Sequence, residues 1–223
     1  MRIAHTLIMA AGRGSRMMPL TNDIPKAMAK YRNTTLIANS IDKLKKNSQN
    51  IHITVGYKGS DLAKHVIEQD VSSIFNTEGK GNAWWIFNTL IRNLDEPILV
   101  LTCDNVIELD LDRIYNDYVS LDSPACLVVP VRPVEGLEGD YIFHEKNRVT
   151  ELNRHKASDM YCSGIQLLNP ALINRYCEQT EDFYSVWNQL ITQQQLFCSN
   201  VYPNKWFTVD TLAQLEFINN NED

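Results

Sequence analysis

The sequence of 223 residues predicts an α/β fold, a doubly wound, mainly parallel sheet with a small β extension in its second half. Three observations predict it. Strand-like and helix-like segments alternate along the first half of the chain, as in βαβ units. A glycine-rich turn directly follows the first apolar run, and after Pro130 the alternation gives way to short strands and a hairpin.

The first half supplies the alternating elements. Apolar or alternating runs predict strands at 3–9, 51–55, 71–75, 97–101 and 125–129. Apolar positions at helical spacing predict helices over 34–46, 59–69, 81–94 and 111–121.

The second half has a different pattern. Tyr141–His144 and Arg148–Leu152 flank a short polar turn and predict a hairpin, and Cys162–Leu168 predicts a strand. Asn169-Pro170 is typical of a helix start because proline suits the first helical turn. Apolar positions on one face predict a further helix over 182–195.

Composition excludes several classes of protein. A formal net charge of -6 provides no positive field to hold a nucleic-acid backbone, so we expect no nucleic-acid partner. The N-terminal apolar run is too short to span a membrane and lacks the pattern of a secretory signal, so we expect no membrane association. The five cysteines show no Cys-x-x-Cys spacing, which favours reduced thiols and a cytoplasmic protein.

The turn after the first strand has the properties of a phosphate-binding loop. It contains Gly12, Arg13, Gly14 and Ser15, and glycines let the backbone turn sharply and approach a ligand closely. Exposed backbone N–H groups in such a turn can hold phosphate oxygens. A P-loop is excluded because Gly-Lys-Ser/Thr is absent, and a dinucleotide fingerprint is excluded because position 17 is Met.

Two further cations, Arg16 and Lys26, lie close to this turn in the sequence. The string from Gly12 to Lys26 resembles the motif G-x-G-[ST]-R-[LM]-x-P-L-T-x-x-x-P-K of the nucleotidyltransferases that make nucleotide sugars and related activated alcohols. The resemblance implies a Rossmann-like, GT-A-like fold. It also implies that the backbone at Met9, Ala10 and Ala11 contacts the base and ribose of a nucleoside triphosphate.

Two carboxylates are candidate metal ligands. Asp104 follows a buried strand directly, at the end where ligands bind in open α/β sheets, and Asp210 follows a second apolar segment. Mg²⁺ prefers one or two carboxylates together with phosphate oxygens and water, so we expect Mg²⁺ or Mn²⁺ here. A helix N-cap is the alternative role for each residue. Thr102–Asn105 and Trp206–Thr211 resemble the metal segments of the family, with Thr208 where some members have another acid.

The chemistry that these parts imply is attack of a phosphate monoester on the α-phosphorus of the nucleotide, with pyrophosphate leaving. Arg16 and Lys26 are the predicted catalytic residues, because fixed cations stabilise the charge that develops on the phosphates. No general base is needed, since a phosphate dianion is already a nucleophile.

Base and acceptor contacts are predicted from weaker signals. Gly81 and Asn82 replace the run usual in sugar enzymes and look closer to cytidylyltransferases acting on phosphocholine-like acceptors. Glu78 can accept a hydrogen bond from a cytosine amino group, or can be a solvated loop residue. Arg154 and Lys156 are predicted to bind the acceptor, or to be a solvated hairpin end.

We therefore expect a single domain over 1–223, with a nucleotide-binding half at 1–130 and an acceptor-binding half at 131–223. The predicted partners are an NTP, with CTP favoured, and a small phosphorylated acceptor; an oligomer is possible. The alternatives are uridylyl, guanylyl or thymidylyl transfer to a sugar 1-phosphate, and a non-catalytic nucleotide-binding module. The module is disfavoured because Lys26, Asp104 and Asp210 are all present.

Overall fold

A computed structural model describes residues 3–134 and 139–221. The parts of the predicted acceptor-binding half at 135–138 and 222–223 lie outside the described residues. The strands in chain order are β1 Ile3–Met9, β2 Lys30–Tyr31, β3 Thr34–Thr35, β4 Ser48–Val55, β5 Ser73–Asn76, β6 Ile98–Thr102, β7 Asn105–Glu108, β8 Cys126–Val131, β9 Tyr141–Glu145, β10 Arg148–Asn153, β11 Tyr161–Leu168, β12 Leu196–Cys198 and β13 Lys205–Thr208.

Helices connect these strands. In chain order they are α1 Leu20–Asp23, α2 Leu36–Lys45, α3 Gly59–Ile67, α4 Trp84–Asn88, α5 Leu111–Ser120, α6 Pro170–Tyr176, α7 Phe183–Thr192 and α8 Leu212–Asn220. Short 3₁₀ turns occur at Ser15–Met17, Lys26–Met28 and Leu90–Asn93. In the described residues, no helix is both long enough and apolar enough to span a membrane.

The central sheet has nine strands among the described residues, in the order β5-β4-β1-β6-β11-β8-β12-β10-β9. The strands β5, β4, β1 and β6 pair in parallel, as the alternation of strands and helices predicts. From β11 onward the pairings are antiparallel, except that β12 runs parallel to β8. The predicted doubly wound α/β class is confirmed, and the β extension lies at the β9–β10 edge.

The core lies on both faces of the sheet. One apolar cluster packs α2, α3 and α5 against one face, and a second packs α4, α6 and α7 against the other. Leu7 and Ile8 are adjacent in β1 and point to opposite faces, yet both are fully buried. Both faces of β1 are therefore covered, which explains its continuous apolar sequence.

The helix predicted over 81–94 is interrupted. Helix α4 ends at Asn88, and Thr89 has an extended conformation. The Thr89 hydroxyl donates to the Trp85 carbonyl oxygen at 2.8 Å and accepts from the Ile91 N–H at 3.3 Å. Such local side-chain bonds compete with the helical ladder, so the chain continues as a separate 3₁₀ turn.

Candidate active site

A cavity of about 640 Å³ opens at the carboxyl ends of the parallel strands. The strands β1, β4, β5 and β6 end side by side, because they pair in parallel and in close register. The cavity is lined by Met9, Ala11, Gly12, Arg13, Gly14, Ser15, Arg16, Lys26, Thr54, Tyr57, Thr77, Glu78, Gly79, Lys80, Gly81, Asn82, Trp85, Thr102, Cys103, Asp104 and Asp210. Most of the predicted nucleotide, metal and catalytic residues therefore lie around one space.

Ala10 is the exception among the predicted nucleotide-binding residues. Its side chain is buried, and its N–H donates to the carbonyl oxygen of Thr54 at 3.2 Å and to the Thr54 hydroxyl at 3.1 Å. Ala10 is absent from the cavity lining, whereas its neighbours Met9 and Ala11 are part of it. The structure thus places Ala10 as a link between β1 and β4.

Gly14 fixes the shape of the turn. Its φ of +66° is in the left-handed region, where residues with a side chain are strained. A Cβ at Gly14 would lie 2.8 Å from Cβ of Lys26. The Gly14 carbonyl oxygen accepts from the Met17 N–H and from the Thr21 hydroxyl, so the turn closes over the Lys26 side chain.

The two predicted catalytic cations meet the two predicted metal ligands in one cluster. Lys26 Nζ lies 2.5 Å from Asp104 Oδ2 and 2.8 Å from Asp210 Oδ1. Arg16 Nη2 lies 2.9 Å from the same Asp210 oxygen. Burial alone would lower the pKa of Lys26, but the attraction of Asp104 and the hydrogen bonds to both carboxylates outweigh burial and raise it. Lys26 is therefore a cation at neutral pH.

The cluster forms because of how β7 and β13 pair. These strands form a two-stranded antiparallel ladder in which Asn105 is opposite Thr208. The Val209 N–H donates to the Asp104 carbonyl oxygen at 3.0 Å, which extends the pairing to the two predicted metal ligands. Asp104 and Asp210 are thereby held next to each other although 106 positions separate them in the sequence.

The carboxylate pair suits a divalent metal ion. Asp104 Oδ1 is buried and has no hydrogen-bond partner among the described residues, so one oxygen remains to bind a cation. Within residues 3–134 and 139–221, no group of three or more His, Cys, Asp and Glu side chains could hold a metal ion. Two carboxylates are nevertheless what Mg²⁺ takes from a protein when phosphate oxygens and water complete its shell.

The predicted base-contacting loop is fastened to the other half of the chain. Gly81 N–H donates to Glu181 Oε2 at 3.1 Å, and a Cβ at Gly81 would lie only 2.0 Å from the Glu181 carbonyl oxygen. Asn82 Oδ1 accepts from the Phe183 N–H at 2.9 Å. The Glu78 side chain is exposed at the cavity wall. Asn82 therefore holds the loop in place, while Glu78 is available to a ligand.

Tyr57 and Trp85 also line the cavity and were not predicted as site residues. Tyr57 donates its hydroxyl to the Thr21 carbonyl oxygen at 2.8 Å, and the Arg13 guanidinium lies 5.2 Å from the centre of its ring. The indole N–H of buried Trp85 has no partner among the described residues. The Gly56-Tyr57 pair directly after a strand was the available sequence signal for Tyr57.

A second cavity, of about 490 Å³, adjoins the first at Asn82, which lines both. Arg154 lines this second cavity, and its Nε lies 2.9 Å from Asp140 Oδ1. Lys156 is not among the lining residues. Its ammonium lies 3.2 Å from Glu151 and 4.1 Å from the centre of the Phe143 ring. The two predicted acceptor-binding residues thus have different surroundings.

A glycine-rich turn beside paired cations and carboxylates, at the carboxyl edge of a parallel sheet, is typical of proteins that bind nucleotide phosphates. The sequence profile of the family described as Nucleotidyl transferase matches residues 5–212. This chain belongs to the nucleotidyl transferase family, so the predicted family is confirmed.

Three similar proteins illustrate the range of this family. The CTP:phosphoglutamine cytidylyltransferase of Campylobacter jejuni is 39% identical over 72 residues, 32% of this chain and 28% of that protein. A mannose-1-phosphate guanyltransferase of Pichia angusta is 24% identical over 219 residues, 91% of this chain and 60% of that protein. The matched regions thus span less than two thirds of each of these relatives. Both relatives are named as transferases, which supports the expectation of an enzyme.

The third is a solved structure, the CTP:phosphocholine cytidylyltransferase of Streptococcus pneumoniae. It superposes with a TM-score of 0.75 at 19% identity and covers 98% of both chains. At that identity the likeness establishes the fold, and it agrees with the predicted Rossmann-like architecture.

Proposed function

We propose that this protein transfers a nucleoside monophosphate from an NTP, with CTP favoured, to a small phosphate monoester and releases pyrophosphate. The observation that carries the proposal is the cluster of Arg16 and Lys26 with Asp104 and Asp210 beside the glycine-rich turn. Cations and carboxylates in one cavity match the needs of phosphoryl chemistry, in which positioning and charge stabilisation supply most of the catalysis.

In the proposed reaction, an oxygen of the acceptor phosphate forms a bond to the α-phosphorus. The bond from the α-phosphorus to the oxygen bridging to the β-phosphate breaks, and pyrophosphate leaves with that electron pair. Arg16 and Lys26 would stabilise the charge on the phosphates, and the turn from Gly12 to Ser15 would bind their oxygens. Mg²⁺ or Mn²⁺ held by Asp104 and Asp210 would supply further charge neutralisation.

The protein needs no nucleophile of its own for this reaction. Cys103 is the thiol that lines the cavity, and burial together with neighbouring Asp104 raises its pKa to about 12. Cys103 is therefore a neutral thiol at physiological pH, and only a thiolate is a good nucleophile. Direct attack by the acceptor phosphate is consistent with this arrangement.

The preference for CTP is supported by Glu78 and by the cytidylyltransferase names of two similar proteins. The amino group of cytosine can donate to the Glu78 carboxylate, whereas uracil presents a carbonyl oxygen at that position. The alternative, transfer to a sugar 1-phosphate, is supported by the mannose-1-phosphate guanyltransferase that matches 91% of this chain.

For the acceptor we propose the second cavity, with Arg154 as a contact. The Asp140 carboxylate offsets part of the Arg154 charge, so this cavity favours a polar acceptor over one with several anionic groups. Lys156 would contact the acceptor only after breaking its ion pair with Glu151. The free thiols, four of them buried, support a cytoplasmic location, where thiols stay reduced.

The test is a screen for pyrophosphate release in which CTP, UTP, GTP and dTTP are each combined with phosphocholine, phosphorylated amino acids and sugar 1-phosphates. We expect release that depends on both substrates and is fastest with CTP. Glu78→Gln should reduce the preference for CTP over UTP. Glu68→Gln serves as the matched control, because Glu68 is an exposed acid on the protein surface. Faster release with UTP, GTP or dTTP would refute the cytidylyl preference and favour the sugar 1-phosphate alternative.

A further inference from the structure

We propose that the Lys26 ammonium neutralises Asp104 and Asp210 while the nucleotide site is empty, so that a divalent metal ion binds these carboxylates only together with the triphosphate. The proposal rests on the proposed function, because it concerns the metal ion that would accompany an NTP. It assigns to Lys26 a role in the free protein that is separate from stabilising phosphates during the reaction.

The contacts of Lys26 support this role. Its single ammonium contacts one oxygen from each carboxylate, Asp104 Oδ2 at 2.5 Å and Asp210 Oδ1 at 2.8 Å. A metal ion bound through the remaining Asp104 oxygen, Oδ1, would lie close to this ammonium, because both would contact the same carboxylate. Like charges in such proximity repel strongly at the low polarity of a partly buried site. An ammonium and a divalent ion are therefore competitors here.

Packing holds the ammonium in place. The Lys26 side chain is only 9% exposed, and its carbon stem packs under Gly14. A flexible surface lysine would leave its partner at little free-energy cost, since exposed ion pairs contribute little. The confined stem instead keeps the positive charge near the carboxylates until another anion becomes available.

Charge balance explains why the triphosphate and the metal ion would bind together. Arg16 and Lys26 together offset the two carboxylates in the free protein. Both cations also line the cavity that the turn around Arg13 encloses. When a triphosphate enters, its oxygens offer these cations new partners, and the carboxylates then become available to a metal ion. The nucleotide and the metal ion would thus each favour binding of the other.

The experiment measures Mn²⁺ binding to the nucleotide-free protein by electron paramagnetic resonance, without any turnover. Lys26→Met removes the competing charge, and we expect it to bind Mn²⁺ at least about tenfold more tightly than the native protein, the scale expected when a close like charge is removed. Lys80→Met is the matched control. Lys80 lines the same cavity but lies over the Trp84 ring, 5.7 Å from its centre.

The proposal is overturned if the native protein binds free Mn²⁺ as tightly as Lys26→Met, or if Lys80→Met gains as much affinity. It is also overturned if Asp104→Asn fails to abolish the gain in the Lys26→Met background. Lys26→Gln is measured in parallel, in case the Met variant does not fold. Because no substrate is present, a protein that lacks transferase activity can still pass this test, and an active one can fail it.

Discussion

Replacing Gly14 with alanine tests whether the glycine-rich turn positions Lys26, the predicted catalytic lysine. The new Cβ would lie 2.8 Å from Lys26 Cβ and 2.9 Å from Lys26 Cδ, closer than a Cβ atom approaches non-bonded atoms in proteins. The backbone at Gly14 also has a φ of +66°, which disfavours any residue with a side chain. Gly14→Ala should therefore both strain the turn and displace Lys26.

The expected magnitude follows from these two effects. A left-handed conformation costs about 1–2 kcal/mol for a residue with a Cβ. Forcing an extra methyl group into a packed site costs about 1–3 kcal/mol. We expect the free energy of unfolding to fall by about 2–5 kcal/mol, a large part of the stability of an ordinary domain. Urea unfolding followed by tryptophan fluorescence measures this change.

Gly12→Ala is the matched control for stability. A Cβ at Gly12 would meet no atom within 4 Å, and Gly12 lies outside the left-handed region. Its free energy of unfolding should change little. Equal stabilities for Gly12→Ala and Gly14→Ala would refute the reasoning. So would a Gly14→Ala protein of full turnover, because displaced Lys26 should stabilise the reaction poorly.

The remaining predictions concern charges. Arg16→Ala and Lys26→Ala should each fold and lose about 10²-fold in turnover, the scale of one lost transition-state contact. Native turnover rates in variants shown to be folded would mean that these cations have no catalytic role. Asp104→Asn should need far more Mn²⁺ for turnover, and an unchanged metal requirement would contradict its role as a ligand. Burial and neighbouring His5 lower the pKa of His52 to about 4, so stability present above pH 6.5 should be lost as the pH falls toward 4. His52→Asn should flatten that part of the stability profile. The free energy of unfolding is measured by urea titration at each pH, and an equally steep fall in the native and variant proteins would refute the assignment.

The positions of the glycine-rich turn and of Asp104 at the cavity were predictable because each follows a recognisable local signal. The glycine-rich turn follows the first strand, and Asp104 follows a buried strand. Parallel strands place their carboxyl ends at one edge, so these signals converge without any knowledge of the packing. The pairing of β7 with β13 then adds Asp210, for which the sequence offered only an apolar segment and a family resemblance.

What sequence reasoning missed depends on contacts between distant segments. The hydrogen bond from the Gly81 N–H to Glu181 Oε2 joins residues 100 positions apart, and no local sequence pattern predicts it. Strand β12 is three residues long, too short for periodicity to detect, and it is stabilised by pairing with β8 and β10. The pairing of Lys156 with Glu151 likewise depends on how the β9–β10 hairpin closes.

The most direct test of the proposed chemistry follows the phosphorus atoms of CTP in the presence of the best acceptor from the pyrophosphate screen. With the label in the α-phosphate, we predict that radioactivity appears in the acceptor product. With the label in the γ-phosphate, it should appear only in pyrophosphate, because the α–β bond is the one that breaks. Transfer of the γ-label to the acceptor, or release of labelled CMP without acceptor, would contradict nucleotidyl transfer.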